Sequence, residues 1–431
     1  MALLLVILTL MILLLVGAPV IFAIGAAGFS YFFIKPDMLG SLSLYAHKFF
    51  TGMDSFVFLA IPLFILAGEL MGSSGMMVHL VRFTQMLVGR FRGGLAYVNI
   101  LGSTMFAGIS GSALADCSAL GPIEISMMKE DGYKPEFAAA LTATTSIQGP
   151  IIPPSIPLVI FSSLTNASVG ALFMGGIIPG IMLGGSQMLI IALMAKKKNF
   201  PKHIDKIPFK EKLRITKSAM FSIAMTIIIL GGILSGIFTA TESAAVAVVY
   251  AFLVSTFAYK NMNLKILREV LVNTVKTTAS IYLIIAFTSV IGWILAMERV
   301  PDMLTNLVVN YDISLYVLLF IVNIFFLFNG MWISDTVQLL LFAPIFTPIF
   351  QSMGVHPIHF GVVMVVNIML GMVTPPYGTA LYLVSSISGS SLGAIIKEAM
   401  PFIIACVIVL FLITYIPGFV LTIPNALGFI Y

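Results

Sequence analysis

Charged residues are scarce in this chain of 431 residues, where Asp, Glu, Lys and Arg make up 9% and hydrophobic residues 60%. Soluble domains carry about 25% charged residues, so the chain is not an ordinary soluble enzyme. Cysteine is equally scarce, since Cys117 and Cys406 are the two present and both stand in apolar segments. Neither a disulfide framework nor a thiolate metal site is therefore expected.

Several functional signatures are also missing. Neither Gly-x-x-x-x-Gly-Lys-Ser/Thr nor His-Glu-x-x-His occurs, which argues against a P-loop ATPase and a zincin protease. The formal net charge of +5 does not indicate a nucleic-acid partner, because the basic residues stand mostly in loops beside apolar runs. No basic segment precedes the first apolar stretch, which we interpret as a retained span and not a cleaved signal.

Long apolar runs are what the sequence has in abundance. Runs of about 20 residues recur along the chain, and each is long enough to cross about 30 Å of hydrocarbon. Their continuous hydrophobicity excludes the alternating pattern of a β-barrel, so the sequence predicts an all-α polytopic protein in a lipid bilayer. The expected spans are 2–33, 55–73, 168–195, 218–238, 241–259, 275–297, 312–329 and 399–423. Broken helices or hairpins are expected at 95–130, 136–165, 331–351 and 358–387, and interfacial helices at 76–94 and 299–310.

Basic residues are distributed unevenly between the two sides of this predicted bundle. If the hairpins 95–130 and 331–351 return to the side they enter, 19 of the 22 Lys and Arg residues share one side, including all nine in the hydrophilic linker 196–217. The positive-inside rule makes that side cytoplasmic. Counting one crossing for 2–33 then predicts a cytoplasmic N terminus and a C terminus outside the cytoplasm.

The chain repeats itself at a constant offset of 222 residues. Eight residues of the first half recur in register as the same residue type in the second half, which chance hardly gives. The matched pairs are Gly108 and Gly330, Ser112 and Ser334, Pro122 and Pro344, Gly132 and Gly354, Pro135 and Pro357, Gly149 and Gly371, Pro153 and Pro375, and Pro154 and Pro376.

The number of crossings between the two copies predicts that the second copy is inverted. We therefore expect a first repeat over 1–195, a basic cytoplasmic linker over 196–217 and a second repeat over 218–431. Inverted repeats with Gly- and Pro-interrupted helices in matching positions are typical of secondary transporters, which bind their substrate near the midplane. At that depth the backbone leaves a helix only where it is buried or lines a wet cavity.

Four segments supply such irregular backbone. They are the hairpin tip 108–112, the helix break 146–155, the second tip 329–335 and the second break 371–379. Freed carbonyls at helix breaks attract cations, and helix N-termini attract anions. Each tip and break together can form one oxygen-rich cation site, with a substrate between the two tips.

Some acidic side chains in apolar context have alternative explanations. Asp335 at the second tip is a functional candidate by default, but it can also cap the following helix. Asp116 can cap or orient the first hairpin, and Glu69 is explained by a buried hydrogen-bonded partner. Glu242 is expected to be a helix cap in preference to a coupling residue.

A glycine stripe lies in the span 168–195. Gly176, Gly180 and Gly184 follow the small-xxx-small spacing that lets helices pack closely. We therefore expect close helix packing at this face of the span.

Four motifs give the chain a family resemblance, namely 132–138, 149–155, 238–242 and 374–378. With these motifs in this order, essentially the whole chain resembles the large membrane subunit of tripartite ATP-independent periplasmic (TRAP) transporters. The resemblance implies a scaffold, a mobile elevator domain and a place in the bacterial inner membrane. It also implies sodium as the coupling ion without any other cofactor, and a carboxylated solute delivered by a periplasmic binding protein. The small membrane subunit is expected to be a separate chain.

The resemblance also implies which residues bind the ion and the substrate. Sodium ligands are expected at both tips and breaks, although Trp332 to Asp335 depart from the commonest family pattern. The sodium candidates are Ser110, Ser112, Ser146, Gly149, Pro150, Gly330, Ser334, Asp335, Gly371, Thr374 and Thr379. The substrate candidates are Gln148, Ser155, Asn329 and Tyr377.

The expected substrate is a sialic acid, and a C4-dicarboxylate is the alternative. A stand-alone sodium and carboxylate symporter of similar architecture is a further hypothesis. A channel is disfavoured because the acidic residues are scattered singly and do not form charged rings. An intramembrane enzyme is disfavoured because Asp116 and Asp335 are its sole candidate catalytic pair and both stand in the repeated hairpins.

Overall fold

The computed structural model describes residues 2–202 and 208–429, and every regular element within these ranges is helical. Residues 203–207 of the predicted linker, Met1 and the last two residues of the predicted second repeat lie outside the described residues. In chain order the helices are α1 Ala2–Leu15, α2 Val20–Ile34, α3 Leu42–Thr51, α4 Ala60–Ser73, α5 Met76–Val88, α6 Gly94–Ser110, α7 Ala113–Ala119, α8 Gly121–Glu130, α9 Pro135–Ser146, α10 Ile156–Thr165, α11 Val169–Lys197, α12 Phe209–Leu234, α13 Ala240–Leu253, α14 Leu264–Met297, α15 Val300–Asn310, α16 Leu315–Asn329, α17 Asp335–Ser352, α18 Pro357–Gly371, α19 Thr379–Ser388, α20 Leu392–Tyr415 and α21 Gly418–Ala426.

Six of the described helical segments are long and apolar enough to cross a membrane. They confirm the all-α membrane class. Less than half of each apolar window is buried inside the protein, so the rest of each surface is suited to contact lipid. The six segments are Phe56–Ser73, Val169–Lys197, Phe209–Leu234, Ala240–Ala258, Leu264–Met297 and Leu392–Tyr415.

The expected single span over 2–33 is wrong. The chain leaves the helix after Leu15, passes through Gly17 at φ +84° and resumes at Val20. The two helices α1 and α2 pack against each other as a hairpin, and each is about 21–22 Å long at 1.5 Å per residue. The start of α1 and the end of α2 therefore lie on the same side of the bundle. Residues 2–33 do not make a single crossing, so the predicted cytoplasmic N terminus loses its basis.

The boundaries of the second predicted hairpin are also wrong. Residues 335–352 form the single helix α17, and its antiparallel partner is α16, which was expected to be a separate span over 312–329. Phenylalanine rings join these two legs, as in the contact of Phe325 with Phe342 at 4.9 Å between ring centroids. In the first predicted hairpin, over 95–130, the chain forms α6, followed by α7 and α8.

The central core contains the first halves of the two broken helices. Every residue from 137 to 146 in α9 is buried, and so is every residue from 358 to 371 in α18. The chain leaves the helix at 147–155 after α9 and at 372–378 after α18. Helices α11 and α20 pack against this pair, so both breaks are held deep within the bundle.

One end of the bundle carries the basic linker, and we call it the basic side. The N–H of Gly93 donates to the carbonyl of Pro201 at 2.8 Å, which holds the start of α6 there. An ion pair between Lys198 and Glu398 holds the start of α20 at the same side. The hairpin of α6, α7 and α8 therefore enters the bundle from the basic side.

The opposite side is marked by an ion pair between Lys35, after α2, and Glu298, after α14. Hydrogen bonding and attraction to the Lys35 ammonium hold the pKa of Glu298 below its usual value. Helices α12, α13 and α14 alternate between the two sides, so Glu298 lies opposite the linker. The contact therefore places Lys35 on the opposite side as well.

Candidate functional site

A cavity of about 820 Å³ lies within the bundle. Its wall includes the first hairpin tip and the start of α17 in the second hairpin, together with residues of α4 and α14. Gly72 and Ser73, at the last turn of α4, are part of the wall. The next residue, Ser74, accepts a hydrogen bond from Asn261 in the loop before α14 at 2.9 Å. The cavity therefore reaches toward the basic side.

The first hairpin tip lies directly against the first helix break. Gly111 has φ +61°, and a Cβ built on it would be 2.8 Å from the carbonyl oxygen of Pro154. A Cβ on Gly149 would lie 3.2 Å from the carbonyl oxygens of both Ser112 and Ser146. Several backbone oxygens of the predicted first ion site are thus brought together, and the space between them excludes a side chain.

The serine hydroxyls of the first tip and the first break form hydrogen bonds within their own segments. Ser112 caps α7, with its hydroxyl accepting from the N–H of Ala115 at 3.4 Å, and Ser110 donates to the carbonyl of Ser112 at 3.4 Å. Ser146 donates back to the carbonyl of Ala143 at 2.9 Å, as serine in helices commonly does.

The substrate candidates of the first break point away from the cavity. Ser155 is fully buried, caps α10 and donates to the carbonyl of Pro150. Gln148 is also fully buried; its Oε1 accepts from Thr104 at 2.5 Å and its Nε2 donates to Gln187 at 3.1 Å. In this conformation both side chains hold the break in place.

The glycine stripe of α11, where close helix packing was expected, receives the first break. A Cβ on Gly176 would lie 2.3 Å from the carbonyl oxygen of Ile151, and one on Gly180 would lie 2.2 Å from Cγ1 of Ile152. A Cβ on Gly184 would lie 3.0 Å from Oε1 of Gln148. Irregular backbone at this depth is therefore covered by α11.

The second half shows the same kind of contact between a hairpin and a break. A Cβ on Gly371 would lie 2.4 Å from the Cα of Gly330, so the two backbones touch where α16 and α18 end. Thr374 donates back to the carbonyl of Leu370 at 2.6 Å. Asn329 likewise donates to the carbonyl of Phe325 at 2.8 Å.

The predicted residues of the second half are spread over a wider area. Asp335 lines the cavity opposite the first tip, while its neighbour Ser334 is half-buried at the start of α17. Tyr377 is 49% exposed and packs against the ring of Tyr382, and Thr379 is exposed at the start of α19. Of the predicted sodium and substrate residues, Ser110, Ser112 and Asp335 line this cavity.

Two cavity residues were missed as site candidates. Glu69 on α4 lines the cavity, and Asn273 on α14 lies against its carboxylate. Glu69 was explained only as a buried partner, although its position deep in an apolar run was a usable signal. Asn273 carried no signal, because the sequence does not tell which face of a long helix meets a cavity.

Buried amides joining each hairpin to its broken helix were missed too. Asn99 on α6 donates to Thr142 at 2.7 Å and accepts from Thr145 at 2.9 Å. Asn323 on α16 accepts from Asn367 on α18 at 2.8 Å. Thr145 and Asn367 are 222 residues apart, but because they differ in type, matching identical residues did not find them.

The helix cap expected at Glu242 is confirmed. Its carboxylate accepts from the N–H of Thr239 at 2.8 Å, and the Thr239 hydroxyl in turn accepts from the N–H of Glu242 at 3.3 Å. This is a capping box.

Comparison with known proteins gives the family. Residues 7–419 match the DctM component of the tripartite ATP-independent periplasmic transporters. The chain is 38% identical over 410 residues to the sialic acid TRAP transporter large permease protein SiaM of Vibrio cholerae, covering 94% of this chain and 96% of that one. It is 37% identical over 394 residues to the C4-dicarboxylate TRAP transporter large permease protein DctM of Pseudomonas aeruginosa, covering 91% of each chain.

A solved structure supports the architecture. The YdaH transporter of Alcanivorax borkumensis has a TM-score of 0.63 against this chain at 15% identity, covering 89% of this chain and 90% of that one. At this identity the likeness shows the fold alone. The sequence relatives are named as permeases of a tripartite system, so membership of the family implies a small membrane subunit and a periplasmic binding protein as partners. The chain belongs to the DctM-component family and is a large permease subunit of a TRAP transporter.

Proposed function

We propose that this subunit imports a small carboxylated solute by sodium-coupled symport, after a periplasmic binding protein has delivered the solute. The observation that carries the proposal is the cavity, because its wall includes both the first hairpin tip and Asp335 of the second hairpin. A site between two hairpins entering from opposite sides lies near the midplane, as transport by inverted repeats requires.

The two predicted sodium sites are supported by the crowding of backbone oxygens. In the first half these oxygens belong to Ser112, Ser146 and Pro154, next to Gly111 and Gly149. Hard cations such as sodium prefer oxygen ligands, and carbonyls freed at a broken helix supply them. In the second half the backbones of Gly330 and Gly371 touch, so the second tip and the second break also lie side by side.

The proposed inverted repeat has further support beyond the eight identities. Gly132 and Gly354 both take left-handed backbone, at φ +88° and +84°, just before the broken helices begin. Each hairpin also joins its broken helix through a buried amide, at Asn99 in one half and at Asn323 in the other. The two glycines keep the 222-residue relation in conformation as well as in sequence, whereas the two amides are 224 residues apart.

An elevator motion is proposed for the hairpins and broken helices relative to α4 and α12. Gly68 of α4 lies against the backbone of the first hairpin with no side chain between them, since a Cβ on Gly68 would be 3.5 Å from the Cα of Ser110. Thr226 of α12 donates one hydrogen bond to the carbonyl of Gly108 at 2.9 Å. A contact of small residues with few polar bonds is suited to sliding.

The orientation follows from the basic residues. We propose that the basic side is cytoplasmic in a bacterial inner membrane and that the C terminus is periplasmic. The cavity then opens inward. The start of α1 lies beside the end of α2, so we now propose a periplasmic N-terminal end for α1. Labelling of single cysteines on the two sides tests these assignments.

Sialic acid is the proposed substrate, and a C4-dicarboxylate is the alternative, since one relative is named for each. The test is uptake of labelled sialic acid and labelled succinate into proteoliposomes that contain this chain and its small subunit. Each solute is tested with and without an inward sodium gradient, and with and without the cognate binding protein.

The uptake measurement separates the hypotheses. We expect uptake of one solute to require both the sodium gradient and the binding protein. Uptake that needs sodium without the binding protein would favour a stand-alone symporter. Sodium-independent uptake would contradict the coupling, and the favoured solute identifies the substrate class.

A further inference from the structure

Two carboxylates are buried together inside the first hairpin, away from the cavity. Asp116 on α7 is 1% exposed and Glu124 on α8 is 3% exposed. All four carboxylate oxygens lack a hydrogen-bond partner among the described residues. The two groups are close enough to repel each other when charged. Neither group has a role in the proposed sodium sites.

The surroundings supply no positive charge. The ion pairs found among the described residues join Lys35 with Glu298 and Lys198 with Glu398, so neither buried carboxylate has a basic partner. Ser103 lies beside Asp116 but donates its hydroxyl to Thr145 at 3.2 Å.

The helices packed against α7 and α8 are α6, α9 and α19. The titratable side chains of these five helices, besides the pair itself, are Tyr97, Cys117, Lys129, Glu130, Glu136 and Tyr382. Of these, the Cys117 thiol lies beside both carboxylates, while Lys129 and Glu130 are exposed at the basic side. The pair therefore faces neutral groups.

The protein makes room for this pair. A Cβ on Gly102 of α6 would lie 2.9 Å from Oε1 of Glu124, so glycine at this position leaves space for the carboxylate. One face of α7 lines the cavity through Leu114, Ala115 and Ser118, whereas Asp116 and Glu124 are absent from the cavity wall. The space around the carboxylates suits a proton better than a sodium ion, which needs several oxygen ligands around it.

Two neighbouring carboxylates cannot both stay ionised without a counter-charge in such a place. Moving one unpaired charged group from water into a protein interior already costs several kcal/mol. A second like charge nearby adds repulsion, and one group is then protonated. Since no basic or donating side chain among the described residues pairs with either carboxylate, protonation is the way that these side chains leave to reduce the charge of the pair.

We propose that Asp116 and Glu124 form a proton-binding site inside the first hairpin, with at least one of the two carboxyl groups protonated at neutral pH. The proton comes from water and returns to water, so the pair changes from a net charge of minus two to minus one when it binds. This site is separate from the tips and breaks and does not depend on the proposed sodium coupling.

Infrared difference spectroscopy on the purified full chain tests the proposal without any transport assay. The wild type is compared with Asp116→Asn, Glu124→Gln and the double variant D116N/E124Q. A protonated carboxyl gives a C=O stretching band that an ionised carboxylate lacks. We expect this band at neutral pH in the wild type and its loss in the double variant. Glu130→Gln on the same helix α8 is the matched control, and its spectrum should keep the band.

Three results would overturn the proposal. One is an identical carboxylic acid region in the wild type and the double variant. Another is a C=O stretching band of the same intensity in the double variant and in the control variant E130Q. The third is a wild-type band that appears only when sodium is removed, because sodium would then be the bound cation.

A second measurement covers the case in which the double variant does not fold. The folded wild type holds a proton that the unfolded chain releases, so its stability must fall as the pH rises from neutral to alkaline. The unfolding temperature of the wild type should therefore drop over this range, and the drop should be smaller in whichever single variant folds. An equal drop in the wild type and in that variant contradicts the proton site.

Discussion

Buried polar side chains are concentrated where the hairpins meet the broken helices. Asn99 and Asn323 each hold a hairpin against a broken helix, and Gln148 anchors the first break to α11 through Gln187. A buried amide that loses its partner costs about 1–3 kcal/mol, so these contacts specify the arrangement as well as stabilise it. Other polar residues, such as Ser73 and Glu69, line the cavity.

Cysteine labelling at position 73, on the cavity wall, tests which side of the membrane the cavity opens to. Both native cysteines are buried, so a single cysteine introduced by Ser73→Cys should dominate labelling. We expect a membrane-impermeant maleimide to label this variant from the cytoplasmic side. Ser314→Cys, at the exposed start of α16 on the opposite side, is the control and should react from the periplasmic side. The reverse pattern would contradict both the orientation and the inward-open cavity.

Broken helices depend on the elements that cover them. The first break exposes backbone at membrane depth, and α11 covers it through glycines that leave no room for a Cβ. Unsatisfied or poorly packed backbone at this depth costs several kcal/mol per group. The conformation of the first break therefore depends on its packing against α11 as much as on residues 147–155.

This dependence predicts different effects for two glycines on the same helix. Gly176→Ala would put a methyl group 2.3 Å from the carbonyl oxygen of Ile151, and such overpacking typically costs about 1–3 kcal/mol. Gly185→Ala meets nothing within 4 Å, and alanine is a better helix former than glycine by about 1 kcal/mol. Thermal unfolding of the purified proteins should show a lower midpoint for G176A and an unchanged or higher one for G185A. Equal midpoints would show that α11 does not support the break as described.

Sequence reasoning located the elements whose signals are local. The first hairpin and both breaks were predicted because glycine, serine and proline interrupt apolar sequence there. The reversal between α1 and α2 was missed because the apolar run continues through 16–19, and hydrophobicity does not tell a hairpin from one long span. Helix α16 was mistaken for a crossing for the same reason.

At the scale of the whole molecule, the cavity was only partly predictable. The repeat predicted that two tips would meet, and Ser112 and Asp335 do line the same cavity. Asn273 lies within the unbroken helix α14, so its position depends on how α14 packs and on nothing visible in its local sequence. Helices α4 and α14 thus complete a site whose other wall includes parts of both hairpins.

The proposed sodium sites at the hairpin tips are tested by the dependence of uptake on sodium concentration in two hairpin variants. Ser112→Ala and Asp335→Asn each change one tip. The control is Ser118→Ala, which also lies on the cavity wall, nearly two turns further along the first hairpin. We expect both tip variants to need about tenfold more sodium for half-maximal uptake, equivalent to ~1.4 kcal/mol, while S118A behaves as the wild type. Unchanged sodium dependence in both tip variants, at wild-type protein levels, would contradict the placement of the sodium sites at the hairpin tips.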